Sequence, residues 1–200
     1  MTEKKTKQII EITNEFLPQR LEKNLAEIKK NFATKPMIYA KGLLDSLKEV
    51  FVETKRLQSE GKKGKTAYIS FSFLYSSALL NKNGFRIDVY DKYFYLDKQE
   101  VCTFWEPSEI FRYVEDDMKY VERRLDASFI PVDPNERIEL YNSYLVNYYQ
   151  ITLELLMELV KLIETMKGFK EMQKEETVMI TVGEFMDQFE CVHKITTEDR

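Results

Sequence analysis

The stretch that most constrains the fold runs from residue 133 to residue 167. Asp133, Pro134 and Glu136 form a helix N-cap signal, and Gly168 supplies a stop. Between them, apolar and aromatic residues recur at steps of three and four, which only a helix gathers onto one face. They are Ile138, Tyr141, Leu145, Tyr148, Tyr149, Leu155, Leu156, Leu159, Val160, Ile163 and Met166. We therefore predict one long helix over about residues 134–167, spanning roughly 50 Å at about 1.5 Å per residue.

This predicted helix has a narrow polar face. At about 100° per residue, its reliably polar positions fall within an arc of roughly 100°. They are Glu139, Ser143, Asn147, Gln150, Glu154, Glu158, Lys161 and Thr165. Because nearly all the remaining circumference is apolar or aromatic, we expect the helix to be central and covered from two sides.

The N-terminal region also has helical spacing. Pro18 interrupts the pattern over residues 3–33, which predicts a kink or two consecutive helices. Pro36 begins a second helix that is expected to end near Gly61. Gly42 inside that helix suggests a close approach between helices.

After the Gly61 to Lys65 linker, the hydrophobic period changes from 3.6 to 2. Residues 66–72 alternate as a half-buried strand, and residues 85–90 alternate as a return strand. Asn83-Gly84 between them predicts a hairpin with a type I′ turn. A third, weaker strand or pair is expected within residues 93–104. These patterns predict a small antiparallel β-hairpin sheet over about residues 66–104, packed on helices.

The remaining elements complete an α+β fold that is predominantly helical. A helix opens at Pro107 with an apolar stripe of Ile110, Val114, Met118, Val121 and Leu125. Residues 177–180 suggest a short edge strand, and the capping-box spacing of Thr181 to Glu184 predicts a last helix through Val192. We expect a single domain over residues 1–200 with five or six helices. Its sub-regions are residues 1–60 (N-terminal helices), 66–104 (hairpin sheet) and 107–193 (helical body).

Composition favours an ordinary globular chain. It is 44% hydrophobic and 32% charged, without a run of about 18 apolar residues. The charged N-terminus leads into an amphipathic pattern, which argues against a secretory signal. Cys102 and Cys191 follow no metal-ligand spacing. We therefore expect a cytoplasmic protein with reduced thiols, no membrane association and no cofactor.

The net charge of −4 hides an asymmetry. Residues 1–65 carry 15 Lys and Arg against 9 Asp and Glu, whereas residues 66–200 carry 15 against 25. The basic and acidic parts could attract one another within the fold, or the basic part could face an anionic partner.

Catalytic and metal signals are weak. Glu190 and His193 have the Glu-x-x-His spacing of carboxylate-bridged metal sites, but such sites need further ligands and His193 is the only histidine. The run from Glu115 to Asp117 is interpreted as a solvated acidic face of a helix. No serine elbow, activated cysteine or phosphate-binding glycine loop is recognisable. We predict no catalytic residue and no metal site.

Three functional hypotheses remain. The leading one is a non-enzymatic cytoplasmic binding or regulatory protein that acts through protein–protein association, including homodimer formation. The second is a small-ligand receptor or enzyme with an aromatic-lined pocket between hairpin and long helix. Its walls would be Trp105, Tyr144 and Tyr148, with Arg86 or Arg112 as an anion anchor. The third is weak nucleic-acid binding through the basic cluster at residues 55–65. It consists of Lys55, Arg56, Lys62, Lys63 and Lys65, of which Lys62, Lys63 and Lys65 are the predicted contact residues.

Overall fold

A computed structural model describes residues 3–73, 83–187 and 189–196. The fold is α+β and mostly helical, at 62% helix. In chain order the elements are α1 (Glu3–Thr34), α2 (Pro36–Ser59), β1 (Thr66–Phe73), β2 (Phe85–Asp91), a 3₁₀ helix (Phe94–Leu96), β3 (Cys102–Trp105), α3 (Ser108–Ala127), α4 (Pro134–Leu159), a 3₁₀ helix (Val160–Thr165), α5 (Lys167–Glu171), β4 (Lys174–Glu184) and β5 (Phe189–Thr196).

The chain divides into two compact units. The first contains residues 1–39 and 108–153, and the second contains residues 40–107 and 154–200. The first unit is helical. In its helix α3 the predicted stripe is confirmed, because Ile110, Val114, Met118, Val121 and Leu125 are all buried.

The second unit contains a five-stranded mixed sheet in the order β3-β2-β1-β4-β5. The predicted antiparallel pairing of β1 with β2 is confirmed, with Phe71 opposite Ile87. The predicted sheet was too small, because β4 pairs parallel to β1 and β5 pairs antiparallel to β4. The apolar side chains of β1, β2 and β4 alternate onto one face and are buried, as at Ile69, Val89 and Ile180.

The C-terminal helix prediction was wrong. Residues 189–196 form strand β5, and the capping-box residues Thr181 to Glu184 belong to strand β4. The predicted edge strand at residues 177–180 is likewise part of β4, which lies inside the sheet. Residues 189–196 form a short segment, and the spacing of its apolar residues fits a strand as well as a helix.

The long helix is shorter than predicted. Helix α4 ends at Leu159, and residues 160–165 tighten into a 3₁₀ helix that stops at the extended backbone of Met166. All eight predicted polar positions are exposed, which confirms the polar face. Gly168 is not the stop. It lies in α5, where a Cβ would come within 2.9 Å of the Cβ atom of Phe51.

Two predicted helix-end signals are confirmed, the N-cap at Asp133 and the stop at Gly61. The Asp133 carboxylate accepts hydrogen bonds from the backbone N–H groups of Asn135 and Glu136, and the Glu136 carboxylate accepts one from the N–H of Asp133. Gly61 has a φ of 68° after α2, and the N–H of Lys62 donates to the carbonyl of Leu57. These contacts form a capping box and a Schellman motif.

Two other helix signals resolve differently. Helix α1 continues through Pro18, so the alternative of two separate helices is wrong. Gly42 does not mark a helix–helix approach. It faces the indole of Trp105 in β3, whose Nε1 atom would lie 3.6 Å from a Cβ at that position.

The hairpin uses Asn83-Gly84 in another way than predicted. Strand β1 ends at Phe73 and β2 begins at Phe85, so the two residues precede β2 and do not form a two-residue turn. Gly84 does not have the positive φ that a type I′ turn requires. Glycine is needed there because a Cβ would lie 2.3 Å from the carbonyl oxygen of Trp105.

Candidate binding site

The first unit contains a buried polar cluster around Asp117. Its carboxylate is fully buried and accepts hydrogen bonds from Tyr144 at 2.6 Å, from Tyr148 at 3.2 Å and from the amide of Asn24 at 2.8 Å. Arg20 pairs with the other carboxylate oxygen. The cluster therefore joins α1, α3 and α4 through one buried carboxyl side chain.

This cluster corrects the prediction that Asp117 belongs to a solvated acidic face. Glu115 and Asp116 are exposed as expected, but Asp117 lies three residues after Val114 and four before Val121, on the buried stripe. That spacing was the signal that could have identified it.

The tyrosines proposed as pocket walls have their hydroxyl groups occupied. Burial raises the pKa of Tyr148 to about 12, and burial with the hydrogen bond to Asp117 raises the pKa of Tyr144 further. Both hydroxyls therefore remain protonated donors at neutral pH. The carboxylate already has four donors, so the cluster fits a structural role in the first unit better than a reactive one.

The other predicted ligand residues are placed as follows. Arg112 is exposed, lies 3.6 Å from the carboxylate of Glu109 and stacks on the ring of Tyr113. Trp105 is buried in the second unit and stacks on Phe85, with ring centroids 5.4 Å apart. The structure describes Trp105 in one unit and Tyr144 and Tyr148 in the other, so the predicted aromatic pocket stays a prediction.

Arg86 lies in an ion-pair cluster on the second unit. Its guanidinium makes two-pronged contact with Asp88 at 2.8–3.0 Å and also pairs with Glu100. It rests on the ring of Phe185, 4.6 Å from the ring centroid. Burial raises the pKa of Asp88, although Arg86 opposes the shift. Arg86 is therefore committed to carboxylates of its own chain instead of standing ready for an anionic ligand.

A groove of about 400 Å³ lies beside this cluster, between helix α2 and strand β3. Helix α2 contributes Glu49, Val50 and Glu53, of which Glu49 and Glu53 are four residues apart and share one helix face. The opposite wall is the chain segment from Glu100 to Thr103. The hydroxyl of Ser46 donates to the Phe104 carbonyl at 3.2 Å and so holds α2 beside β3.

The groove is acidic. Glu53 is paired with Arg56, and Glu100 is paired with Arg86. Glu49 accepts a hydrogen bond from the hydroxyl of Thr103 at 3.2 Å, and among the described residues no cation pairs with it. Val50 and Val101 also line the groove, but they are almost completely buried. The groove thus offers mainly negative charge to an incoming side chain.

Metal binding is disfavoured here by the chemistry of the donor set. Oxygen and sulfur atoms of Asp88, Glu100 and Cys102 lie within 4.8 Å of one another. The Arg86 guanidinium already contacts both carboxylates, and its positive charge repels a cation. Burial also raises the pKa of the Cys102 thiol, which disfavours the thiolate that a metal requires.

The Glu-x-x-His motif does not lie on a helix. Glu190 and His193 lie on strand β5, where a spacing of three residues puts side chains on opposite faces unless a bulge intervenes. The register of β4 with β5 does shift there, and the Nε2 atom of His193 lies 3.2 Å from a carboxylate oxygen of Glu164. The helical geometry on which the motif depended is absent from residues 189–196.

The lysines of the basic cluster are largely engaged with acidic partners. Lys63 is buried, pairs with Asp97 and donates to the carbonyl of Gln99 at 2.7 Å. Lys62 lies 2.7 Å from Glu60. Lys65 is exposed. Because Lys63 is enclosed, the three lysines do not form one open phosphate-binding patch.

The described residues form an α+β, mostly helical fold with an acidic groove. No protein-family model, no curated protein and no solved structure matches the chain. Within the described residues, no helix combines the length and apolar character needed to cross a lipid bilayer.

Proposed function

We propose that this chain is a non-enzymatic binding protein whose acidic groove takes a positively charged segment of a partner protein. The observation that carries the proposal is the charge of the groove. Three glutamates line about 400 Å³, and Glu49 has no cationic partner among the described residues. A lysine or arginine side chain would supply the missing charge.

The shape of the groove supports a side chain attached to a peptide. Its walls are a helix and an edge strand. The exposed Cys102 side chain on the groove wall can pack against the methylene stem of a lysine while the carboxylates meet its ammonium group. Electrostatic complementarity of this kind gives partner selection and fast association more than high affinity.

The geometry of the other charged clusters supports binding over catalysis. The buried carboxylates Asp88 and Asp117 are each paired with an arginine. Burial raises the pKa of the Cys102 thiol, so the one thiol in the groove is a poor nucleophile near neutral pH. These groups stabilise the groove and the helical unit instead of standing ready to transfer protons.

Titration with short peptides tests the proposal. A lysine- and arginine-rich peptide is expected to bind, whereas a peptide of the same length with glutamine in place of each basic residue is not. Isothermal titration calorimetry at low and high salt measures both, and affinity is expected to fall as salt screens the charges.

A matched pair of variants locates the binding. Glu49→Gln removes the uncompensated charge and is expected to weaken peptide binding roughly fivefold, the equivalent of about 1 kcal/mol for an exposed pair. Glu115→Gln removes an exposed carboxylate from α3 in the other unit and is expected to leave affinity unchanged. Equal affinities for the basic and glutamine peptides would contradict the proposal.

A further inference from the structure

The junction of α1 and α2 carries concentrated positive charge. Residues 28–44 contain four lysines and no acidic residue. Lys30 and Lys35 are exposed, and among the described residues no ion pair involves either. Lys35 lies at the turn between the two helices. The acidic groove is thus matched by a basic surface on the same chain.

Exposed apolar side chains adjoin these lysines. Met37 and Ile38 begin helix α2 and are 58% and 51% exposed. We call Lys30, Lys35, Met37 and Ile38 the lysine corner. Exposed cationic side chains are the complement of a groove lined by carboxylates.

We propose that the lysine corner of one copy of this chain docks in the acidic groove of a second copy. The inference rests on the proposed function, since it names the partner of that same groove. Lys35 and Lys30 would approach Glu49 and Glu100. The charge asymmetry of the sequence then has a role between copies of the chain.

The contact joins two different surfaces, so it is head-to-tail. Each copy that docks its corner still offers its groove, and the assembly grows into a ring or an open chain. A corner in a groove of about 400 Å³ is a small interface, so we expect weak, concentration-dependent association that salt reverses.

Charge reversal on each surface tests the docking by sedimentation velocity at low salt. Glu49→Lys spoils the groove and keeps the corner, whereas Lys35→Glu spoils the corner and keeps the groove. Each variant alone is expected to stay monomeric at concentrations where the wild-type chain associates. Mixing the two variants restores one native contact and also sets the two reversed charges opposite each other, so the mixture is expected to regain association.

The controls separate this inference from the proposed function. Glu115→Lys and Lys161→Glu change exposed residues that belong to neither surface, and both variants are expected to associate as the wild-type chain does. Circular dichroism checks that every variant is folded. A wild-type chain that stays monomeric to about 1 mM, or a variant mixture without dimers, overturns the docking. If the basic peptide still binds the groove in that case, the proposed function stands and only the choice of partner is wrong.

Discussion

At the scale of single residues, Asp117 organises the first unit. Its carboxylate replaces lost hydration with hydrogen bonds from Tyr144, Tyr148 and Asn24 and with the charge of Arg20. A buried carboxylate without such partners would be strongly unfavourable, so the donors and the acceptor depend on one another.

Asp117→Asn is therefore expected to destabilise the protein by about 3 kcal/mol, because the amide has the size of the carboxylate but lacks its charge and one of its acceptors. Chemical denaturation with urea measures the change. Asp116→Asn is the matched control, since the side chain of Asp116 is 69% exposed. This substitution is expected to change the free energy of unfolding by less than about 0.5 kcal/mol. Equal effects from the two substitutions would show that the buried cluster contributes no more to the free energy of unfolding than an exposed carboxylate does.

Asp133 gives a pH-dependent prediction at the same scale. Hydrogen bonds from the backbone N–H groups of Glu136 and Asn135 lower the pKa of its carboxyl group. A lowered pKa contributes stability above the ordinary aspartate pKa of about 3.9, and that stability is lost as pH falls through the lower folded-state pKa. Asp133→Asn keeps a cap that does not titrate.

The expected result is a difference in Tm that changes with pH. The wild-type chain should lose stability relative to Asp133→Asn as pH falls from about 5 to about 2. Thermal unfolding of both proteins across this range measures the difference. A difference in Tm that stays constant with pH would exclude a lowered pKa at this cap.

The role of a residue could be predicted from the sequence when its contacts are made by neighbours in the chain, and not when they come from distant segments. The capping box at Asp133 is made by neighbours in the chain, so its spacing was sufficient. The partners of Asp117 come from helices far apart in sequence, and no local pattern names them. Its place on the buried stripe was readable, but three consecutive acidic residues suggested a solvated face.

At the scale of elements, helix α3 ends in a conformation that does not suit its residue. Phe129 has a φ of 55°, and the N–H of Ile130 donates to the carbonyl of Leu125 as in a Schellman motif. Phe129 is 93% exposed, so little packing compensates for the left-handed backbone. Glycine is the residue that this position favours.

Phe129→Gly is therefore expected to stabilise the protein by about 1 kcal/mol. The left-handed conformation costs an L-residue about 1–2 kcal/mol, and the larger conformational entropy that glycine loses on folding offsets part of this gain. Thermal unfolding measures the change. Phe129→Ala removes the same ring but keeps a Cβ atom, so it is the control and should give no comparable gain. Stabilisation by both variants would assign the effect to removal of the exposed ring.

Elements were predicted best where their hydrophobic pattern extends over many residues. The stripe of α3 and the polar face of α4 persist over several turns, and both are confirmed. The second half of the sheet was not foreseen, because β4 pairs in parallel with a strand about 110 residues earlier and such pairing leaves no local mark. The segment that became β5 is too short for its period to separate strand from helix.

At the scale of the whole molecule, the charge asymmetry could be predicted from the sequence, but the positions of the charged side chains in the fold could not. Several basic residues of the 55–65 cluster pair with acidic side chains, as Lys55 does with Glu171. The groove could not be read from the sequence, since it is made where residues 49–53 meet residues 100–103. The account therefore depends on one claim, that this groove receives a cationic segment.

Protection of the groove thiol tests that claim most directly. Cys102 lines the groove, whereas Cys191 lies on strand β5, and both are exposed. Mass spectrometry can follow the alkylation rate of each thiol with and without a lysine- and arginine-rich peptide. The account predicts that the peptide slows alkylation of Cys102 and leaves the rate at Cys191 unchanged. Unchanged alkylation of Cys102 at a saturating peptide concentration, or equal slowing at both thiols, would contradict it.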